Sequence, residues 1–330
     1  MRSVTLDLLD RQLLHALQLD GRAAFSAIAE VLGVSDRTVA RRYDRLRSSD
    51  AVRVAGVPDS RLTGHADWLV RLSALPFSAA PLARALARRP DTAWVTLASS
   101  GTEIVCVFRV AAGGPAPLAD LGRLPQVTGV RAQRLLRPAM NGRWRGRTSA
   151  LDEDQIAALR PSAAADPVPP AGPLAEAGGA AVPLTRLDRS LLPALAADGR
   201  ATYPALARRS GWSESAVRRR LSELRRAAVV TFDVEVDAGL LGFSAQCLLW
   251  LTVTPARLGD VARALAEDPE AAFVSTTTGP DNLFAIVVCR DTDALDTYLT
   301  DRLGALDGVD RVETALVTAY TRRAARVEQG

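Results

Sequence analysis

The 330-residue chain is too long for one ordinary core and suits two to four compact domains. Its 48% hydrophobic content excludes wholesale disorder, and no apolar run approaches the length needed to span a bilayer. The net charge of +4, with a sequence pI of about 9.4, is built on arginine alone, because lysine is absent; every cationic contact is therefore a planar, permanently charged fork suited to phosphate oxygens.

At the start, Asp7 and Asp10 stand where a secretory apolar region would have to lie, so a soluble, cytoplasmic protein with no membrane partner is expected. Leu6, Leu9, Leu13, Leu14 and Leu17 fall on one face at helical spacing, predicting a first helix that ends near Asp20-Gly21-Arg22. A short second helix is expected over 26–31 and a turn at Leu32-Gly33-Val34. Ser35 is then an N-cap candidate, with Asp36 in the first turn of a third helix. The period changes at AVRVAGV, a strand. Alternating strand and helix patterns follow at 66–75, 79–88, 92–98, 103–110, 117–123 and 130–137. That order is β-α-β-β-α-β, the ferredoxin-like split unit. Its second helix is eroded, since AAGGPAPLADLG holds two glycines and two prolines.

Residues 160–183 lack periodicity and are dominated by Ala, Pro and Gly, the composition of a linker. Counted from about 145, some 38 residues would span roughly 35 Å if flexible. Beyond them the chain repeats itself. The stretch from Asp10 to Arg47 returns from Asp188 to Arg225 at an offset of 178 (188 − 10), without a gap and with 19 of 38 positions identical. Gly64 and Gly242, Ala93 and Ala271, and Gly101 and Gly279 keep the same offset, so a whole unit has been duplicated. The second copy predicts a helix capped by Ser213, a strand at AVVTFDVEV, then β-α-β-β-α-β at 245–254, 256–267, 271–277, 282–289, 293–303 and 309–319.

Cys106, Cys247 and Cys289 lie far apart without metal-ligand spacing. Cys106 and Cys289 sit in apolar runs that suit a core. His15 and His65 are the only histidines, which argues against zinc and histidine-based catalysis. No metal, cofactor or catalytic residue is therefore expected.

A short helix, a glycine-containing turn and a capped helix form the scaffold that lays one helix in a DNA major groove. In the third helix Val39, Tyr43 and Leu46 (Val217, Leu221 and Leu224 in copy two) face inward. The other faces present Arg37, Thr38, Arg41, Arg42 and Arg45, or Ser215, Arg218, Arg219, Arg220 and Ser222. Arginine forks match guanine edges and phosphates, and Ser and Thr suit phosphates or either base. A solvated helix in an interaction-only bundle is the alternative. Copy one is the weaker DNA binder of the two, because Asp36, Asp44 and Asp50 offset its arginines.

The run DGRATYPALARRSGWSESAVRRRLSEL resembles the N-terminal domain of the leucine-responsive regulator/AsnC (feast–famine) family. The shared pattern falls on Asp198, Gly199, Arg200, Leu206, Ala207, Gly211, Ser213, Val217, Arg220 and Leu224. In copy one it falls on Asp20, Gly21, Arg22, Ile28, Ala29, Gly33, Ser35, Val39, Arg42 and Leu46. The resemblance implies an α+β chain with two winged helix-turn-helix-like domains and two ferredoxin-like domains in tandem. The division expected is 1–56, helix-turn-helix; 57–140, a degenerate ligand-sensing domain; 141–183, linker; 184–236, helix-turn-helix; and 237–330, ligand-sensing.

It also implies an effector pocket at the turn TTTGPDNLF, with Thr277, Thr278, Gly279, Asp281 and Asn282 receiving a small molecule such as an amino acid. A hairpin turn chosen for its geometry is the plain alternative. Copy one departs there, with Thr102-Glu103 in place of Pro-Asp. The series Arg131, Arg134, Arg137, Arg143, Arg145 and Arg147 is either a basic extension for DNA or a solvated strand edge. The implied function is sequence-specific binding of double-stranded DNA by a pseudo-dimer within one chain, with higher homo-oligomers also open. Siroheme decarboxylases resemble the same two-domain family and can occur as fused pairs, so a tetrapyrrole enzyme is the alternative; a cavity poor in histidine argues against it.

Overall fold

The first acidic pair starts a helix. Asp7 caps α1 (Leu8–Leu19): its carboxylate accepts from the Asp10 N–H at 2.9 Å, and the Asp10 carboxylate accepts from the Asp7 N–H at 3.2 Å. After α2 (Phe25–Leu32), Gly33 takes the left-handed φ of +65° that the turn needs. Ser35 then caps α3 (Asp36–Ser48) by accepting from the Thr38 N–H. The chain continues through β1 (Val52–Pro58), β2 (His65–Ala74), α4 (Pro76–Ala87), β3 (Thr92–Ala98) and β4 (Glu103–Ala111). Next come α5 (Leu118–Leu121), β5 (Val127–Pro138) and α6 (Glu153–Leu159). The glycines and prolines expected to erode the second helix leave α5 a single turn.

Copy two repeats the order with α7 (Arg186–Ala197), α8 (Tyr203–Ser210), α9 (Glu214–Arg226), β6 (Val230–Val236) and β7 (Ala245–Val253). It ends with α10 (Leu258–Glu267), β8 (Ala271–Thr277), β9 (Leu283–Cys289), α11 (Thr292–Thr297, continued by a π-turn over Tyr298–Leu303) and β10 (Val309–Arg323). The computed structural model describes residues 5–114, 118–140, 150–159, 182–323 and 326–327. They divide into a helical unit (5–59, 150–159 and 182–242) and a sheet unit (60–114, 118–140 and 243 onward).

In the helical unit each copy buries the same positions. Leu13, Leu17, Ile28, Val39 and Leu46 are buried in one, and Leu191, Leu195, Leu206, Val217 and Leu224 in the other. The wing expected after the third helix is a single strand, and its partner is the other copy's strand: β1 pairs antiparallel with β6 from Val52↔Val236 to Pro58↔Val230. Ten residues of the stretch expected to be linker also belong here. Leu151 and Leu159 bury themselves as α6 packs on α1 and α2, and the Leu151 N–H donates to His15 Nδ1 at 3.3 Å. The helix went unread because its apolar positions are too few for a period. Residues 141–149 and 160–181 lie outside the described ones.

In the sheet unit both copies form the ferredoxin-like order, β5-β2-β4-β3 and β10-β7-β9-β8. The long strands overrun their own sheets. β5 pairs with β2 and then, through Leu135–Pro138, with β8; β10 pairs with β7 and then, from Val317 to Arg322, with β3. Eight strands thus close into a ring without a free edge between the copies. Leu69, Val105, Leu248, Trp250 and Phe284 pack together where residues from both copies meet. All three cysteines are buried core residues, and burial pushes the Cys247 and Cys289 thiols up to about 11, so they stay protonated and inert.

Candidate nucleic-acid interface and effector loop

Adjacent arginines on the third helix of each copy meet different surroundings. Arg42 donates to Asp7 at 2.5 Å and to Asp10 at 3.0 Å, and Arg45 also donates to the fully buried Asp10. In copy two Arg220 forks onto Asp188, whose side chain is 0% exposed, with both contacts at 2.8 Å, and reaches Glu223 at 2.9 Å. Burial alone would raise the Asp188 carboxyl. The Arg220 fork and the Thr185 donors outweigh it and hold the group below the ordinary carboxylate range. Arg42, Arg45 and Arg220, also expected at DNA, have nitrogens that tie the third helix to the first, while the Arg45 side chain stays about half exposed. The reason is that the capping-box acid of the first helix lies buried against the third and requires a cation.

The exposed face keeps the other expected residues. Arg37 and Arg41 extend from α3 with no ion pair among the described residues, and the half-buried Thr38 shares a hydrogen bond with Ser35 at 2.9 Å. On α9, Ser215, Arg218 and Arg219 are exposed and Ser222 is half-buried. Arg218 lies over the Tyr203 ring at 4.3 Å and pairs with Glu214 at 3.1 Å; Arg219 pairs with Glu223 at 3.8 Å. Such exposed pairs contribute under about 1 kcal/mol and yield readily to a phosphate. Within the basic series, Arg131, Arg134 and Arg137 lie exposed on β5, where backbone pairing to β2 and β8 makes them strand residues; Arg143, Arg145 and Arg147 fall outside the described residues.

The loop at 277–282 gathers all five expected effector residues and already satisfies their polar groups. Thr277 Oγ1 donates to the Asp281 carbonyl at 2.6 Å, and Asn282 exchanges two hydrogen bonds with the Val253 backbone at 2.7 and 2.9 Å. Thr278 exchanges bonds with the Arg134 backbone, and Gln133 Nε2 donates to the Asp281 carbonyl at 3.0 Å. The buried Asp281 carboxylate takes Arg311 at 2.8 Å and the Thr252 hydroxyl at 3.3 Å. Gly279 adopts φ +101°, a backbone that favours glycine, and a Cβ there would also crowd Gln133 Nε2 at 3.2 Å. Gln133, Arg311 and Thr252 escaped the sequence reading because strand pairing alone brings them to the loop. Copy one's loop is shorter: Ala98 pairs with Glu103, whereas Thr276 pairs with Leu283. Glu103 there is bound by Arg71 at 2.6 Å, and Arg71 also pairs with Glu313 and covers Trp250.

The AsnC-type helix-turn-helix domain matches residues 6–47 and 184–225, and the Lrp/AsnC ligand binding domain matches 246–324. An uncharacterized HTH-type transcriptional regulator of Pyrococcus abyssi is 30% identical over 142 residues, 43% of this chain and 90% of that protein. This chain belongs to the Lrp/AsnC family. It is a transcriptional regulator of that family with the DNA-binding domain in duplicate. Regulatory protein AsnC of Escherichia coli K12 is 29% identical over 136 residues, 41% of this chain and 90% of its own. Each of these Lrp/AsnC relatives corresponds to about one copy here. A crystal structure of the siroheme decarboxylase NirDL is similar over 97% of this chain and 94% of that one, with a TM-score of 0.60; at 14% identity the likeness concerns the fold alone.

Proposed function

We propose that the helical unit binds two DNA half-sites at once, reading one with α3 and the other with α9. Arg37, Thr38 and Arg41, with Ser215, Arg218, Arg219 and Ser222, are the readers. Arg42, Arg45 and Arg220 hold the reading helices in place. The supporting observation is that exposed arginines lie on the outer face of both capped helices, while Arg42 and Arg220 are engaged by buried carboxylates. Half-sites are expected roughly 34–36 Å apart, one turn of the duplex. The test is a mobility shift on the protein's own upstream DNA with R37A/R41A and R218A/R219A variants. Each pair is expected to weaken binding and to lower the salt slope by about 0.9 for every phosphate that is no longer neutralised. Undiminished binding by both variants would sink the reading.

The loop at 277–282 is proposed as the effector site, taking an amino acid whose ammonium displaces Arg311 from Asp281. The ligand-binding match over 246–324 supports it. Thermal-shift titration with amino acids should give a stabilising ligand, bound more tightly by R311A; no shift with either protein would speak against it. The tetrapyrrole-enzyme alternative rests on fold likeness. Both histidines serve local contacts, His15 accepting from Leu151 and His65 sharing a hydrogen bond with Thr63 at 3.2 Å, which leaves a non-enzymatic regulator as the reading favoured. A tetrapyrrole absorbance band in the purified protein would reverse that preference.

A further inference from the structure

The Asp-Gly-Arg tripeptide occurs once per copy, and every residue of it is engaged by the other copy. Arg22 donates to the carbonyls of Gly199 at 2.5 Å and Ala201 at 3.1 Å; Arg200 returns the contact to Gly21 at 2.8 Å and Ala23 at 2.9 Å. The glycines are bare because a strand of the opposite copy lies on them. A Cβ on Gly21 would meet Phe232 at 2.8 Å, and one on Gly199 would meet Val54 at 2.9 Å. The aspartates first cap their own turns, accepting from the Arg22 and Arg200 N–H groups. They then take the last turn of the opposite reading helix: Asp20 pairs with Arg225 at 3.2 Å, and Asp198 with Arg47 at 2.8 Å.

The guanidiniums also stack across the junction. Arg200 covers the Phe25 ring at 4.2 Å and reaches Tyr43 of α3 at 5.4 Å, while Arg22 lies 5.3 Å from Tyr203 and 5.4 Å from Phe232. Neither makes an ion pair among the described residues. Burial draws the pKa of both below the ordinary arginine value, yet a guanidinium starts so high that both remain cations at neutral pH. A charge so placed is retained for geometry: a rigid fork satisfying two carbonyls at a set angle, where an apolar residue would leave those carbonyls bare.

We propose that Arg22 and Arg200 are positioning residues for two-site DNA recognition, a reciprocal lock that holds α3 and α9 at one separation and one phase along the duplex. Without the lock, each reading helix would keep its cap, its buried face and its exposed arginines. The β1–β6 ladder, the packing of β1 on α7 and the Asp20–Arg225 and Asp198–Arg47 pairs would still join the copies, but without the two carbonyl clamps that fix their angle.

The proposal rests on the DNA-binding reading above, and the experiment separates the two. Full-length protein is titrated on duplexes carrying one half-site, two half-sites in phase, and two displaced by about 5 bp, half a helical turn. Wild type should prefer the in-phase pair by about 100-fold or more, the advantage expected of rigidly linked sites. R22Q/R200Q should bind the single half-site as wild type does and lose most of that preference, falling below about 10-fold, while R22K/R200K recovers part of it. Wild type that binds none of the duplexes overturns the DNA-binding reading itself. A full phase preference in R22Q/R200Q overturns the lock and leaves that reading intact. Loss of single half-site binding in both variants also overturns it, since the arginines would then support each domain on its own.

Discussion

Arg220→Ala tests the separation of holding from reading arginines most directly. Arg220 provides both contacts at 2.8 Å to a carboxylate with no exposure, and its loss leaves Asp188 Oδ2 with the Thr185 N–H and hydroxyl at 2.7 and 2.8 Å. Oδ1 then has no donor among the described residues. Removing one partner of a fully buried ion pair costs about 3–5 kcal/mol. Arg220 is itself about one-fifth exposed, which lets water reach the gap, so about 3 kcal/mol is expected. Arg219→Ala breaks only an exposed pair at 3.8 Å, a loss of about 0.3–0.5 kcal/mol. Urea unfolding followed by far-UV circular dichroism reads both. R220A should shift the midpoint several-fold further, whereas R219A should lose DNA affinity at nearly wild-type stability. Acid supplies a second readout. The Asp188 carboxyl is held below its ordinary value near 3.8, so its stabilisation is complete above that value and is lost as pH falls through the lowered one. Asp188→Asn should flatten that acid limb. An R220A protein within about 1 kcal/mol of wild type whose DNA affinity has collapsed would refute the reasoning, because Arg220 would then be a reader.

Gly279→Ala should destabilise the sheet unit by about 1–3 kcal/mol through the left-handed backbone and the contact with Gln133, and an unchanged thermal midpoint would contradict this. Leu159→Ala, at the buried end of α6, should cost about 2 kcal/mol and expose 150–159 to limited proteolysis; equal protease resistance would show that α6 contributes little to the helical unit. Selection from random DNA should return an asymmetric operator, because α3 presents Arg37-Thr38 where α9 presents Ser215-Ala216. A strict palindrome would contradict that expectation.

Most local devices are legible in the chain, with α6 and the capping boxes at Asp7 and Thr185 the exceptions. Leucine spacing, Ser35 and Ser213 as caps, Gly33 and Gly211 at the turns, and the alternation of strand and helix each depend on residues a few positions apart, where periodicity and φ preferences act. The 178-residue echo likewise announced the duplicated architecture by itself. Which arginines read and which hold could not be seen that way. Arg41 and Arg42 are neighbours of the same type, and only the burial of Asp10 beneath one of them separates the proposed reader from the residue that ties the helices together. The Asp-Gly-Arg motif read as the end of a helix, yet its partners are about 178 residues away in the other copy. The loop proposed for the effector is legible as Gly, Asp and Asn, while the groups that close it, Gln133 and Arg311, arrive on strands β5 and β10. Contacts of that kind leave no periodic trace, because their spacing is set by how the two copies pack rather than by the pitch of any helix or strand.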